Sequence, residues 1–585
     1  MTEKTRRSAG WFACLWFILL AVLFTRPLIT KIGDAAAGEI GDNIYFIWMI
    51  GWVKKALFKL GVDPMNVWFL NYPEGWNMAH TEITPAQLAL AQIFAFIGSE
   101  TFAFNMTMLL SFVLSGLIMY GWVKHLTGSA AAGILSGTIF ACLPYRQVHF
   151  LAGHLNLSGT QWLPLFFWGW FDLLKPDQEK VRVKPALMAA VGLGLTALTS
   201  QYYFFMMVIV AGFQGLWVLL VRQRKMLKNG AFWKSIALFI LFSLPLLILA
   251  ELPFLQLSES GGMPDREWRA VRMYSAGLTD YLLPGTTHFL FGDWVGSHFN
   301  REMWVEATLY IGIAALALFL YAMFSRKSGR WERQMLISGI LIAVVLSFGT
   351  DLHWNGEAVE WVLPEFLAEK LGRNITQIYM PGVFFFKYFP FYAKLRAMMR
   401  FGIFAELLVA CGAGFAVHSL RGKKQALITA GAVLLVLFDF FPKAIPSFAE
   451  ISPRPVDLWL AEQPETGSVM RYPFYLNDDQ EGTYYTLYNE KPFIGGFFNA
   501  FPTEQYQRIY GIMNRFPSAA SLELARELDV SFFMVEEEKL WEVIEESSVP
   551  WDSPEELYEA AISQGLEERG VFGDIHVFSW AKEMP

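Results

Sequence analysis

The side chains with the clearest chemical capacity fall in three short stretches. In "GEIGDNIYFIWMIGWVKKAL", residues 38–57, Glu39 and Asp42 stand with Asp34 at the head of a run holding Tyr45, Phe46, Trp48 and Trp52. A carboxylate placed there suits proton abstraction from a hydroxyl arriving from water, the task of a general base. His80 and Glu82 follow, just before Pro85, a residue that readily opens a helix. In "YAKLRAMMRFGIF", Arg396 and Arg400 are four apart, which places both on one face if the stretch is helical, with Lys394 nearby. Guanidinium forks suit phosphate oxygens; the plainer use of such arginines is snorkelling to lipid headgroups. In "PYRQVHFLAGHLNLSGTQW", Arg146, His149 and His154 crowd one short connection. Their five-residue histidine spacing is poor for a metal pair on one helix, and hydrogen bonding to phosphate or sugar competes with simple loop polarity.

These residues are held by a membrane-type chain. Of 585 residues, 54% are hydrophobic and only 17% charged, against about a quarter charged in soluble domains. The composition predicts a polytopic α-helical membrane protein with an appended soluble part. Cys14, Cys142 and Cys411 all lie inside apolar runs, so neither a disulfide framework nor a metal cluster is indicated. The leader "MTEKTRRSAG" precedes an apolar run without a small-residue cleavage site, and reads as an uncleaved first span.

Runs long enough to cross lie near 11–29, 102–123, 129–145, 157–174, 185–199, 202–221, 232–252, 306–324, 335–349, 401–420 and 425–442. Basic residues concentrate in short connections: "EKTRR", Lys124, 175–184, 222–228, 325–333 and "RGKK" at 421–424. Placing all of these in the cytoplasm, as the positive-inside rule requires, demands an even number of spans between each pair. The apolar stretch 185–221 must then turn back at "SQYY", Ser200–Tyr203, giving eleven spans with a cytoplasmic N-terminus. Residues 30–101, 146–156, 253–305, 350–400 and everything after 443 fall outside. Loops of this length are more often functional than merely structural.

On this topology residues 44–57 predict an amphipathic aromatic helix lying in the interface, with a second one opening near Pro85. Residues 1–443 form the membrane module, and 444–585 a small extracytoplasmic α/β domain. Within that tail, "SLELARELDV" and "SPEELYEAAISQGLEERG" read as helices, and "SFFMVEE", "DIHVFSW", "TGSVMRYPF" and "KPFIGGFF" as strands. No phosphate-loop sequence is present, which argues against an ATP-driven pump.

Taken in order, Gly41-Asp42 with Trp48 and Trp52, Tyr72-Pro73 with Gly75, Gly153-His154 with Trp162, Pro164 and Leu165, and Arg396 with Arg400-Phe401 resemble the GT-C superfamily of membrane glycosyltransferases. The pattern is most similar to its large, uncharacterised bacterial branch. The adjacent Asp-Glu pair of the mannosyltransferase-like members is absent. The resemblance implies a polyprenyl-phosphate-sugar donor and a glycan, lipid or protein acceptor at the outer face of the plasma membrane, with no nucleic acid partner. It implies Asp42 as catalytic base or acceptor-orienting residue, with Asp34 in reserve; the alternative for Asp42 is N-capping of the following helix. Arg396, Arg400, Arg146 and His154 would hold the donor phosphate. Glu82, His80, His149, Tyr202 and Tyr203 would contact substrate, Tyr202 and Tyr203 from the tip of the hairpin. No cofactor is fixed; Glu82 suits a divalent metal or the acceptor, and equally a cap for the helix near Pro85.

The boundary acids Glu251, Glu306, Glu406 and Asp439 are accounted for by ion pairs with arginines. The stretch 265–299, rich in Trp, His, Asp and Arg, fits either a lid over a sugar site or a folded loop. Two other functional classes compete. A transporter or flippase for a lipid-linked saccharide predicts midplane charges and inverted repeats, whereas the acids here gather toward the outer end. A non-catalytic partner in envelope polysaccharide assembly would tolerate loss of Asp42 and Arg400 together.

Overall fold

A computed structural model describes residues 3–176, 178–259, 265–474, 479–496, 504–546 and 548–581. The chain divides into two compact units. One comprises Met1–Lys31, Thr84–Leu90 and Asn105–Ser447; the other comprises Ile32–Ile83, Ala91–Phe104 and Phe448–Pro585. The sequence boundary at 443/444 lies close to the 447/448 division, and the unit beyond it also takes in 32–83 and 91–104.

The first unit is helical. Among the described residues, four helices of the chain are long and apolar enough to cross a membrane: Glu100–Thr127, Gln201–Arg222, Gly230–Glu259 and Met398–His418. Shorter apolar helices run over Ala9–Phe24, Pro85–Ala95, Ala130–Ala141, Val183–Ala197 and Ile313–Phe324. Two helices approach closely where each presents a glycine to the other's backbone. At Gly169, on helix Trp162–Leu173, a Cβ would stand 2.4 Å from the Ala189 nitrogen. At Gly192, on helix Val183–Ala197, it would stand 2.5 Å from the Phe166 nitrogen. In lipid, where apolar association gains little from leaving water, such reciprocal small-residue contacts hold helices together.

The long apolar stretch does break. One helix ends at Ala197 and the next runs over Gln201–Trp217, led by Ser200 in extended backbone. The break falls about three residues before the expected turn, because serine suits the position preceding a helix. Tyr202 and Tyr203 therefore occupy the first turn of the second helix instead of a hairpin tip.

In the second unit, Ala35–Ala37 pairs antiparallel with Phe448–Glu450, so the first connection and the tail share a ribbon. A four-stranded sheet runs in the order Leu566–Phe572, Ile575–Trp580, Val530–Glu536, Ser468–Tyr472. Its last two strands are parallel and the other pairs antiparallel. Val530–Glu536 is interior and almost wholly buried, as its unbroken apolar run requires, whereas the edge strand "LEERGVF" carries charges that discourage further pairing. That edge strand takes the last residues of a stretch that reads as helix; the helix itself is Pro554–Ser563. "KPFIGGFF" contributes one isolated bridge, Phe493 to Val469, and its residues 497 and 498 lie outside the described set.

The helix after Asp42 corrects one expectation. Helix Asp42–Lys54 does not lie with one stripe toward lipid, since every residue from Asn43 to Trp52 is buried. It packs on helix Gln480–Asn489, where Trp48 Nε1 donates to Thr486 Oγ1 at 3.2 Å, and Trp52 Nε1 donates to the Pro64 carbonyl at 2.9 Å. Its aromatic residues serve this internal packing, and the exposed apolar residues lie further on, at Leu57, Phe58, Leu60, Ile93, Phe96 and Ile97.

Gly192→Leu should disrupt packing by about 1–3 kcal/mol, the usual cost of an overfilled contact, seen as a lower thermal midpoint in detergent. Gly230→Ala, which meets no atom within 4 Å, should leave that midpoint unchanged.

Candidate functional site

The sequence-singled residues gather into two constellations, one in each unit. In the second unit, Asp42 is the first residue of its helix, following Gly41 at the cap position. Asn43 Oδ1 accepts from Gly41 N at 3.0 Å and Ile44 N at 2.8 Å. Asp42 stands in the first turn, where the helix dipole favours negative charge. Tyr45, one turn on, hydrogen-bonds Thr81. Burial pushes the Tyr45 hydroxyl well up, and Asp42 and Glu82 both add to that rise. Two carboxylates thus bear on one protonated phenol. His80 is half-buried against Trp76, ring centroids 5.2 Å apart, and burial lowers its pKa. Asp34 is exposed in the turn before Ala35–Ala37.

In the first unit the centre is an ion pair. Arg400 Nε donates to both carboxylate oxygens of Glu306, at 3.1 and 3.0 Å, and Nη2 donates to Oε1 at 2.5 Å. Both side chains are 7% exposed. The Arg400 guanidinium also lies 4.3 Å from the Tyr202 ring centroid, a cation–π contact. Beside it, Tyr203 donates to the Tyr145 hydroxyl at 3.0 Å, and Tyr145 stacks edge-on against His149 at 4.3 Å. His149 Nδ1 faces His154 Nδ1 at 2.7 Å, so one imidazole donates and the other accepts. Burial pushes His149 well below its ordinary value despite the Glu306 charge, leaving it neutral, and its Nε2 has no hydrogen-bond partner among the described residues. Tyr145, next to Arg146 in the same short stretch, is the member that spacing did not single out.

The arginine pair does not share a helix face. Leu395 is extended, Ala397 is also outside helical backbone, a 3-10 turn covers Met398–Phe401, and the α-helix begins only at Gly402. Arg396 therefore projects independently of Arg400, its guanidinium 4.8 Å from the Tyr274 ring. Tyr274 comes from the 265–299 stretch, which folds into short helices at Trp268–Met273, Leu278–Leu282 and Gly292–His298. Among the described residues Arg396 meets no carboxylate, and its Nε is buried without a partner. Arg146 is buried too, but its Nη1 donates at 2.7 Å to the Ala141 carbonyl, at the C-terminal end of helix Ala130–Ala141.

The boundary acids divide. Glu306 has its arginine, whereas Asp439 accepts from the Tyr310 hydroxyl at 2.7 Å and Ala314 N at 2.9 Å. Glu406 is fully buried, with neither oxygen hydrogen-bonded among the described residues. It lies eight residues into Met398–His418, about 12 Å along the helix, and so does not belong with the outer-end acids. Among the described residues, no group of three or more His, Cys, Asp or Glu could hold a metal ion.

This helical architecture is similar in fold to solved GT-C glycosyltransferases. The arabinofuranosyltransferase AftD from Mycobacteria superposes with a TM-score of 0.55 at 13% identity, over 100% of this chain and 42% of its own. The oligosaccharyltransferase of Archaeoglobus fulgidus superposes with a TM-score of 0.52 at 13% identity, over 92% of this chain and 70% of its own. The chain thus spans less than half of the first of these relatives. Its sequence belongs to the family defined by domain of unknown function DUF6311, whose model matches residues 45–373. No curated protein sequence matches it.

Removing one partner of a buried ion pair strands the other charge. Glu306→Ala should cost about 3–5 kcal/mol, read as a large fall in thermal midpoint. The double change Glu306→Leu with Arg400→Met should recover most of that loss.

Proposed function

We propose that this chain is an integral-membrane glycosyltransferase that moves a sugar from a polyprenyl-phosphate-linked donor to an acceptor at the outer face, inverting the anomeric centre. The observation that carries the reading is the GT-C fold bearing a first-turn carboxylate, Asp42, in the connection after the first apolar helix. The sidedness is that of the basic connections: cytoplasmic N-terminus, eleven spans, and a tail outside.

In this mechanism Asp42 takes the proton of the acceptor hydroxyl as its oxygen attacks the anomeric carbon, and the bond from that carbon to the phosphate oxygen breaks. The leaving polyprenyl phosphate departs as an anion. Arg396 is the better phosphate ligand, because Arg400 already spends its charge on Glu306 and Arg146 caps a helix carbonyl. Arg400 then fixes Tyr202 through its cation–π contact, and the His149–His154 pair offers hydrogen bonds to sugar hydroxyls. Glu82, His80 and Asp34 remain the acceptor-side candidates. The acceptor is a glycan, lipid or protein.

Asp42→Asn should lower kcat for sugar transfer from a polyprenyl-phosphate-sugar donor by about 10²–10⁴-fold, the usual share of a general base. Arg396→Ala should chiefly raise the donor KM. Unimpaired turnover by Asp42→Asn removes Asp42 from the mechanism.

Glu406 gives a transporter reading its one specific support, since a lone mid-helix carboxylate is what an intramembrane relay uses. A glycosyltransferase should keep its turnover in Glu406→Gln. Loss of lipid-linked saccharide movement across liposomes in that variant, with no covalent product in the parent protein, favours transport instead.

A further inference from the structure

Residues 350–400 read from charge alone as an external loop, yet part of this stretch lies against the side of a spanning helix. Helix Gly382–Tyr388 carries "GVFFFKY". Its Phe385 ring meets Phe213 edge-on with centroids 5.6 Å apart, and Phe389 just beyond it meets Phe205 at 6.2 Å. Phe205 and Phe213 are both on Gln201–Arg222, one of the four helices able to cross, and are separated along it by about 12 Å. Phe213 is twelve residues from one end of that helix and nine from the other, so its Cα is near mid-length whichever end faces out. Its side chain leans back toward the N-terminus by roughly a turn, and the contact still falls in the helix's middle third.

The short helix is anchored at its start, where Gly382 sits so close to Gly349 that a Cβ would overlap the Gly349 carbonyl. Gly349 follows the end of helix Arg330–Ser347. From there the segment descends and returns. Phe385 packs tilted against Tyr392 at 5.5 Å, and Tyr392 stacks on Phe401 at 6.5 Å, which closes the excursion next to Arg400. The outward side is apolar and uncovered: Phe384 is 62% exposed, Tyr388 71% and Phe391 52%. The flanking Phe213 and Val208 of the spanning helix are also exposed, at 37% and 44%. Lys387 has a stem long enough to carry its ammonium group to headgroup phosphates.

We infer that Gly382–Phe391 is a re-entrant segment whose Phe384, Tyr388 and Phe391 contact lipid acyl chains inside the bilayer. Non-helical backbone at membrane depth survives only where protein covers it. Here the N–H groups of Val383, Phe384 and Phe385 donate to the Met380 and Pro381 carbonyls, and those of Phe389, Tyr392 and Lys394 donate to the carbonyls of Phe385, Phe389 and Phe391. The segment gives the Arg400 turn an apolar flank through Phe385, Tyr392 and Phe401. The inference rests on the spanning assignment of Gln201–Arg222 and not on any catalytic role.

The test uses the full chain in lipid vesicles, with an environment-sensitive fluorophore attached at Phe384→Cys, Tyr388→Cys or, as reference on the spanning helix, Val208→Cys. Unsubstituted protein gives the background from Cys14, Cys142 and Cys411. Quenching by phospholipids with nitroxides on the acyl chain, exceeding quenching by aqueous iodide at all three positions, is the expected result. Quenching at Val208 by acyl-chain nitroxides, with iodide dominating at Phe384 and Tyr388, overturns the re-entrant segment alone. Iodide dominating at all three overturns the span as well.

Discussion

The first unit is organised around one buried charge pair. Arg400 and Glu306 come from parts of the chain 94 residues apart and meet with three hydrogen bonds where little water can reach them. Desolvating either charge alone costs several kcal/mol, so the pair forms with good geometry or the region does not close. Closing it fixes the head of the helix that follows Arg400 against the stretch before Ile313–Phe324. It also sets the guanidinium plane on which Tyr202 rests, and Tyr203, Tyr145, His149 and His154 extend the contact outward from there. Burial keeps His149 neutral beside Glu306, whose charge Arg400 already balances.

The pair also divides labour among the cations. A guanidinium fully engaged by a carboxylate has little left for a phosphate, whereas Arg396, laid on Tyr274 with a buried free Nε, keeps its fork available. The non-helical backbone at Leu395 and Ala397, followed by the 3-10 turn at Met398–Phe401, causes this difference. Had the helix begun at Leu395, both would have projected from one face and competed for the same partner. In the second unit the analogous arrangement surrounds Tyr45, whose protonated hydroxyl is held by Thr81 with Asp42 and Glu82 in electrostatic reach. An internal helix places Asp42 more rigidly than one floating in the interface would, since Trp48 and Trp52 tie it on two sides.

Much was legible in the chain itself. Apolar runs and basic clusters gave the helical membrane character, and the demand for an even span count located a break in 185–221 to within about three residues. The β-rich runs "SFFMVEE" and "DIHVFSW" are paired strands of the sheet. Other features were not legible, for identifiable reasons. The run Tyr45–Trp52 carries the same residues whether it lies on lipid or inside protein, so only its packing on helix Gln480–Asn489 distinguishes the two. The partner of Arg400 is remote in sequence, and four boundary acids were equally plausible partners. Tyr145 and Tyr274 had no distinguishing spacing at all.

The sequence alone determined which segments must avoid water and which must carry the charges, because transfer free energies depend on residue type and need no fold. It also placed the acids and arginines on particular stretches. Tertiary structure decided which charges neutralise one another, which face of an aromatic helix is covered, and that "GVFFFKY" runs beside a spanning helix. Those outcomes depend on distances between residues far apart in the chain, and short-range pattern carries no record of such distances.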